Sequence, residues 1–208
     1  MSDGYEQIYE RLLPELGACD FPEVAGRLGM SLQPEGTLAV DFLGREYEIS
    51  ARGVEAKDGK PVQVNNRSVL AYYTLSRGAG EPAGTYVPLS HLAGTIIVSS
   101  NTQWMTDPLG RAFCGEYPAF AETVRRLGAV FKGELKSWGY AWTLQVLPRI
   151  ILRIVYYDRD DDFPCEVHIL FDANASRFME FECLAFLQGG LVRAMLMTAQ
   201  TGDTTGWV

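Results

Sequence analysis

The stretch from Tyr140 to Phe171 constrains the fold more than any other part of the sequence. Residues 140–147 place Tyr140, Trp142, Leu144 and Val146 on one side of an extended chain, the period-two spacing of a half-buried strand. Ile150 to Tyr157 is apolar on both sides except at Arg153, as expected of a central strand. Cys165 to Phe171 alternates again. The links between these runs are too short for helical crossovers, so the three strands should form an antiparallel core.

The rest of the chain alternates between helical and extended patterns. Tyr5, Ile8, Tyr9, Leu12 and Leu13 fall at helical spacing, and Pro14 either closes that helix or starts a new turn. Asp20 caps a second helix with Pro22 in its first turn, and Gly29 ends it. Thr37–Phe42 and Arg45–Ser50 flank Leu43-Gly44 as a hairpin, and Val54 and Val62-Gln63-Val64 flank a second turn at residues 57–60. Asn65 or Asn66 then caps a helix carrying Val69, Leu70, Tyr72 and Tyr73. Leu89–Leu92 reads as one helical turn, Thr106-Asp107-Pro108 opens a helix, and Pro118 restarts it through Phe120, Val124 and Leu127. From Asn174 or Ser176 a long helical pattern runs to Met195. Gly189-Gly190 inside it imply a helix break, close packing or a ligand against bare backbone. The class is α+β, an antiparallel sheet packed by several helices. We expect residues 1–208 to form one domain, with a helical N-terminal segment over 1–30 and a frayed tail over 201–208.

Lys and Arg total 18 against 26 Asp and Glu, a formal charge of −8. That sign repels phosphate backbones, and the basic clusters Arg125-Arg126 and Lys132 with Lys136 are too thin to form a nucleic-acid groove. Cys19, Cys114, Cys165 and Cys183 show no CxxC spacing, so no zinc-finger or iron–sulfur pattern exists. The N-terminus lacks the basic-then-apolar plan of a signal peptide, and uncharged apolar runs are too short to span a bilayer. The expected setting is the cytoplasm, with reduced thiols and no membrane or nucleic-acid partner.

Several short strings carry a family likeness: Phe42-Leu43-Gly44-Arg45, Leu70-Ala71-Tyr72-Tyr73, Leu147-Pro148-Arg149-Ile150, Tyr156-Tyr157-Asp158, Asp161-Asp162-Phe163-Pro164 and Ile169-Leu170-Phe171-Asp172. In this order they resemble the uncharacterised family called domain of unknown function 3786, over roughly residues 20 to 200. The resemblance implies an anaerobic bacterial or archaeal setting and a link to corrinoid or redox cofactor metabolism, with no assigned activity. Some relatives carry a four-cysteine iron–sulfur segment, which this sequence lacks.

Four candidate features remain. Asp158, Asp160 and Asp162 alternate in an acidic hairpin, where they either hold a divalent cation or keep the tip solvated. Arg153, Glu166, His168 and Asp172 form an anion or acid/base site if strand register places Arg153 and His168 on one face; otherwise Arg153 pairs with Glu166, or with a carboxylate elsewhere, to permit its burial. Trp138, Tyr140 and Trp142 wall a pocket for a flat ligand or fill the core, and Trp104, Tyr117 and Phe120 share that ambiguity. Cys165, beside the acidic residues, should have a raised thiol pKa. Gly78 to Gly84 lacks the lysine of a phosphate loop. With only His91 and His168, a histidine-rich metal centre is excluded. Two functions fit: a non-catalytic ligand-binding or accessory protein whose partner is a small molecule or another protein, and a small metal-assisted hydrolase using the acidic hairpin and His168. No organic cofactor is predicted; the candidate cofactor is a divalent cation.

Overall fold

The computed structural model describes residues 4–93, 105–136 and 139–203. The chain runs α1 (Gly4–Gly17), α2 (Phe21–Leu28), β1 (Ser31–Leu32), β2 (Leu38–Phe42), β3 (Arg45–Ser50), β4 (Gly53–Ala56) and α3 (Val64–Leu75). It continues through β5 (Tyr86–Pro88), a 3-10 turn at Leu89–Leu92, α4 (Asp107–Phe113), α5 (Tyr117–Arg126), β6 (Val130–Glu134), β7 (Gly139–Leu147), β8 (Ile150–Tyr157) and β9 (Glu166–Asp172). A 3-10 turn at Ala175–Arg177 precedes α6 (Phe181–Thr201).

The strands form two antiparallel sheets, one ordered β1-β2-β3-β4 and the other β5-β9-β8-β7-β6. The expected three-strand core is therefore the middle of a five-stranded sheet, and β8 is its central strand. Its buried face carries Trp142, Leu144, Leu152, Ile154, Tyr156, Val167, Ile169 and Phe171. Helix α5 packs there, with Tyr117 stacked on Tyr140 at 3.8 Å and Phe120 set 4.7 Å from Tyr156. One apolar cluster runs from this face to Phe42, Tyr47 and Ile49 of the first sheet, so burial of nonpolar surface links the two.

Local signals set most boundaries. Asp20 accepts a hydrogen bond from the Glu23 amide at 3.1 Å, and Gly29, at φ 72°, ends α2. Leu43 and Gly44 both take positive φ, the two-residue turn whose twist suits a hairpin. The buried Arg45 guanidinium donates to Asp58 at 2.6 and 3.1 Å and to the carbonyls of Lys60 and Pro61.

Some expectations need correction. Val62-Gln63-Val64 is not a strand; Pro61 has no N–H for a ladder, Arg45 takes its carbonyl, and Val64 already opens α3. The N-cap of α3 is Gln63, without a side-chain cap, rather than Asn65 or Asn66. Pro14 lies inside α1, which runs on to Gly17. The C-terminal helical pattern divides, since Phe178 to Glu180 separate the 3-10 turn from α6. Within α6, Gly189-Gly190 make no break: an added Cβ meets nothing within 4 Å at Gly189, and at Gly190 only Asn66 and Leu43 at 3.9 Å. The tail residues 204–208 lie outside the described residues. Helix α6 is long and apolar enough to cross a membrane by length and composition, but half of that stretch is buried inside the fold. It packs against α3, α4 and α5 as a core helix.

Tyr73 joins three elements. Its buried hydroxyl donates to the Leu28 carbonyl at 3.0 Å and accepts from the Arg149 amide at 3.0 Å. Burial pushes its pKa well up, so the group stays neutral and able to donate. Replacing Tyr73 by Phe leaves a carbonyl and an amide without this partner, and should cost about 1–3 kcal/mol in a urea unfolding curve. Gly189→Ala should instead stabilise the fold by about 0.5–1 kcal/mol in the same measurement, because the added methyl group meets no neighbour.

Candidate functional site

Strand register decides which side chains meet. Val155 stands opposite His168, Arg153 opposite Leu170, and Tyr157 opposite Glu166. Directly paired residues share a face, so Arg153, Glu166 and His168 lie together on the outer face of the five-stranded sheet. Across from Arg153 on β7 is Thr143; on its other side Arg153 faces Leu170, which pairs with Pro88, and Tyr86 of β5 stands two residues further along, opposite Asp172.

Arg153 does not pair with Glu166. Its guanidinium lies 4.3 Å from the centre of the Tyr86 ring, a cation–π contact that sets its plane. Its Nε is buried with no hydrogen-bond partner, and so is the Oγ1 of Thr143. Among the described residues no carboxylate forms an ion pair with Arg153. Glu166 instead binds His168, with Oε2 2.9 Å from Nε2. The Tyr157 ring meets the imidazole edge-on at 5.6 Å.

Asp172, the fourth member of the expected group, does other work. It is fully buried, and its carboxylate accepts from the amides of Ala83, Gly84 and Asn174 at 2.7–2.9 Å. These bonds fasten the glycine-rich loop after α3 to the end of β9. The aromatic stripe divides likewise. Tyr140 and Trp142 point to the opposite, core-facing side, against Tyr117 and Phe131. Trp138 and Trp104 lie outside the described residues.

The acidic hairpin between β8 and β9 does not gather its aspartates. Asp160 Oδ1 accepts from the amides of Asp162 and Phe163 and so builds its own turn. Asp158 Oδ1 accepts from the Gly115 amide at 2.9 Å, tying the hairpin to the end of α4. There Asp158 comes together with two thiols, Cys114 and Cys165, all three ligand atoms lying within 4.8 Å of one another. Both cysteines are free. Beside them is a cavity of about 460 Å³ between α4 and the start of β9, lined by Asp107, Arg111 and Glu166 among others. The helix approaches closely because residue 110 is glycine; a Cβ there would sit 2.7 Å from the Cys165 carbonyl oxygen.

Cys165 has its thiol pKa pushed up to about 11, first by burial and then by the neighbouring Cys114 and Asp158, with the Tyr156 hydroxyl opposing them. The direction agrees with the sequence, but desolvation outweighs the acidic residues as the cause.

A family model described as a domain of unknown function (DUF3786) matches residues 20–194. The chain belongs to this family. No curated protein and no solved structure matches it. Within this DUF3786 chain, strings that were scattered in sequence are fastening points. Tyr73 holds Arg149, Asp172 holds the loop at residues 83–84, and Asp158 holds Gly115. Thr143, Tyr86 and Cys114 were not singled out from sequence. A lone threonine, tyrosine or cysteine carries no pattern, and only the register and the position of α4 bring them to their partners.

At pH 8 the metal-free, reduced protein should be alkylated slowly at Cys165 by iodoacetamide. Because the raised pKa keeps the thiol protonated, the rate should climb about tenfold per pH unit up to pH 10. Peptide mass spectrometry of timed samples measures this, and a rate already level above pH 8 would contradict the assigned environment.

Proposed function

We propose that this chain is a non-catalytic binding protein of the cytoplasm that holds a small anion on the outer face of its five-stranded sheet. The observation that carries this reading is the pair of unpartnered polar atoms, Arg153 Nε and Thr143 Oγ1, on directly opposed residues. A buried donor without a partner costs about 1–3 kcal/mol, and oxygen atoms of a carboxylate or phosphate would remove that cost. Stacking on Tyr86 supports recognition, because it fixes the guanidinium before a ligand arrives. His168 lies two residues nearer the hairpin tip, roughly 7 Å along the strands, so an anion of several heavy atoms could reach both. The net charge of −8 disfavours large polyanions and leaves small ones. Family resemblance supports an accessory role in anaerobic corrinoid or redox cofactor metabolism.

A second reading, a metal-assisted hydrolase using the acidic hairpin, draws support from Asp158 beside two thiols and from the His168–Glu166 pair. Register weighs against it. His168 is level with Val155, and Asp158 lies three residues further along, about 10 Å at the usual strand rise. That is beyond direct proton transfer to water on a metal at Asp158.

Thermal unfolding in the presence of phosphate, sulfate or citrate tests the binding reading. At a hundredfold excess over Kd, a bound anion should stabilise the native protein by about 2.7 kcal/mol, or roughly 5–10 °C in Tm for a chain of this size. Arg153→Met should abolish the shift. The proposal is overturned if none of the three anions raises the Tm of the native protein, or if the variant responds equally.

A further inference from the structure

We propose that Cys114, Asp158 and Cys165 form a binding site for one thiophilic divalent cation, with zinc the best fit, whose fourth coordination position opens onto the cavity between α4 and β9. The three donors come from separate elements: Cys114 from the end of α4, Asp158 from the end of β8 and Cys165 from the residue before β9. Their ligand atoms lie within 4.8 Å of one another. A tetrahedral zinc with Zn–S of ~2.3 Å needs its ligands about 3.8 Å apart, so inward movements of less than roughly 1 Å complete the set.

The surroundings suit this chemistry. The Gly115 and Arg159 amides both donate to Asp158 Oδ1, at 2.9 and 2.8 Å, which orients the carboxylate as outer hydrogen bonds do for metal ligands. The Tyr156 hydroxyl, which donates to the Phe113 carbonyl at 2.8 Å, stands against the Cys165 thiol. Two sulfurs and one carboxylate favour a borderline-soft ion over calcium or magnesium, which take oxygen ligands. On binding, each thiol gives its proton to solvent and forms a sulfur–metal bond. Two thiolates and one carboxylate then surround a double positive charge, and the cavity wall carries Arg111 together with Asp107 and Glu166. With three protein ligands the fourth position is left to water or to a ligand in the cavity, the arrangement of an open metal site rather than a closed structural one. This site is independent of Arg153, so either can fail alone.

Cobalt(II) titration of the reduced, metal-free, full-length protein is the test. One equivalent should bind, with a sulfur-to-cobalt charge-transfer band in the near ultraviolet and visible bands of tetrahedral intensity, and zinc should displace it. Cys114→Ser and Cys165→Ser should each weaken binding more than ~100-fold, beyond the loss typical of an outer-shell partner. Asp158→Asn should keep the charge-transfer band at reduced affinity, whereas Cys19→Ser and Cys183→Ser should bind normally. Circular dichroism of every variant separates lost binding from lost folding, and the Asp158→Asn result serves if a cysteine variant does not fold. Absence of saturable binding in the reduced native protein overturns the site, as does binding unchanged in Cys114→Ser and Cys165→Ser. It is also overturned if thiol counting shows the two cysteines joined as a disulfide that, once reduced, takes up no metal.

Discussion

The hydroxyl of Tyr73 is the point on which the arrangement of elements turns. It bridges the last carbonyl of α2 and the Arg149 amide in the β7–β8 turn. One oxygen thus fixes the first helices, α3 and the long hairpin relative to one another. Leu28 and Tyr73 are fully buried there, so the Leu28 carbonyl would otherwise lack a partner away from water. Arg149 adds a second tie by pairing with Glu81 on the loop that Asp172 secures. The orientation of the five-stranded sheet, and therefore of its outer face, follows from these few polar links set in a hydrophobic interior.

How much of this the sequence disclosed depended on whether the signal was local. Alternation from Tyr140 to Phe171 located β7, β8 and β9, and the run from Ile150 to Tyr157, apolar on both sides except at Arg153, correctly marked a central strand. Asp20, Leu43-Gly44 and Thr106-Asp107-Pro108 marked ends and turns, because capping and positive φ are properties of a few adjacent residues. The two-residue β1, the three-residue β5 and the exposed β6 escaped notice. Each is too short or too solvated to carry a periodic apolar face, and pairing with a longer neighbour makes it a strand.

The site was legible only in part for the same reason. Arg153, Glu166 and His168 could be named, but not their common face, since a shift of one residue would have separated them. Asp172 looked like a member of the group by parity, yet the loop at residues 83–84 claims its carboxylate. The acidic run drew attention by density, whereas the geometry singles out Asp158 alone, because it is next to thiols that arrive from elsewhere in the chain. Amphipathic division of the sheet explains the contrast between the two candidate surfaces. One face is filled by aromatic and branched side chains, and polar groups with unmet bonding capacity remain on the other.

The margin of β9 has a consequence for how the chain avoids self-association. β5 pairs only with Leu170, Phe171 and Asp172, and the earlier part of β9 is flanked by α4, brought close by Gly110. A seven-residue helix thus stands where another strand could add itself. While α4 is undocked during folding, that margin offers amides and carbonyls to any extended segment nearby. The helix that walls the cavity is therefore also a guard against templated β-sheet growth.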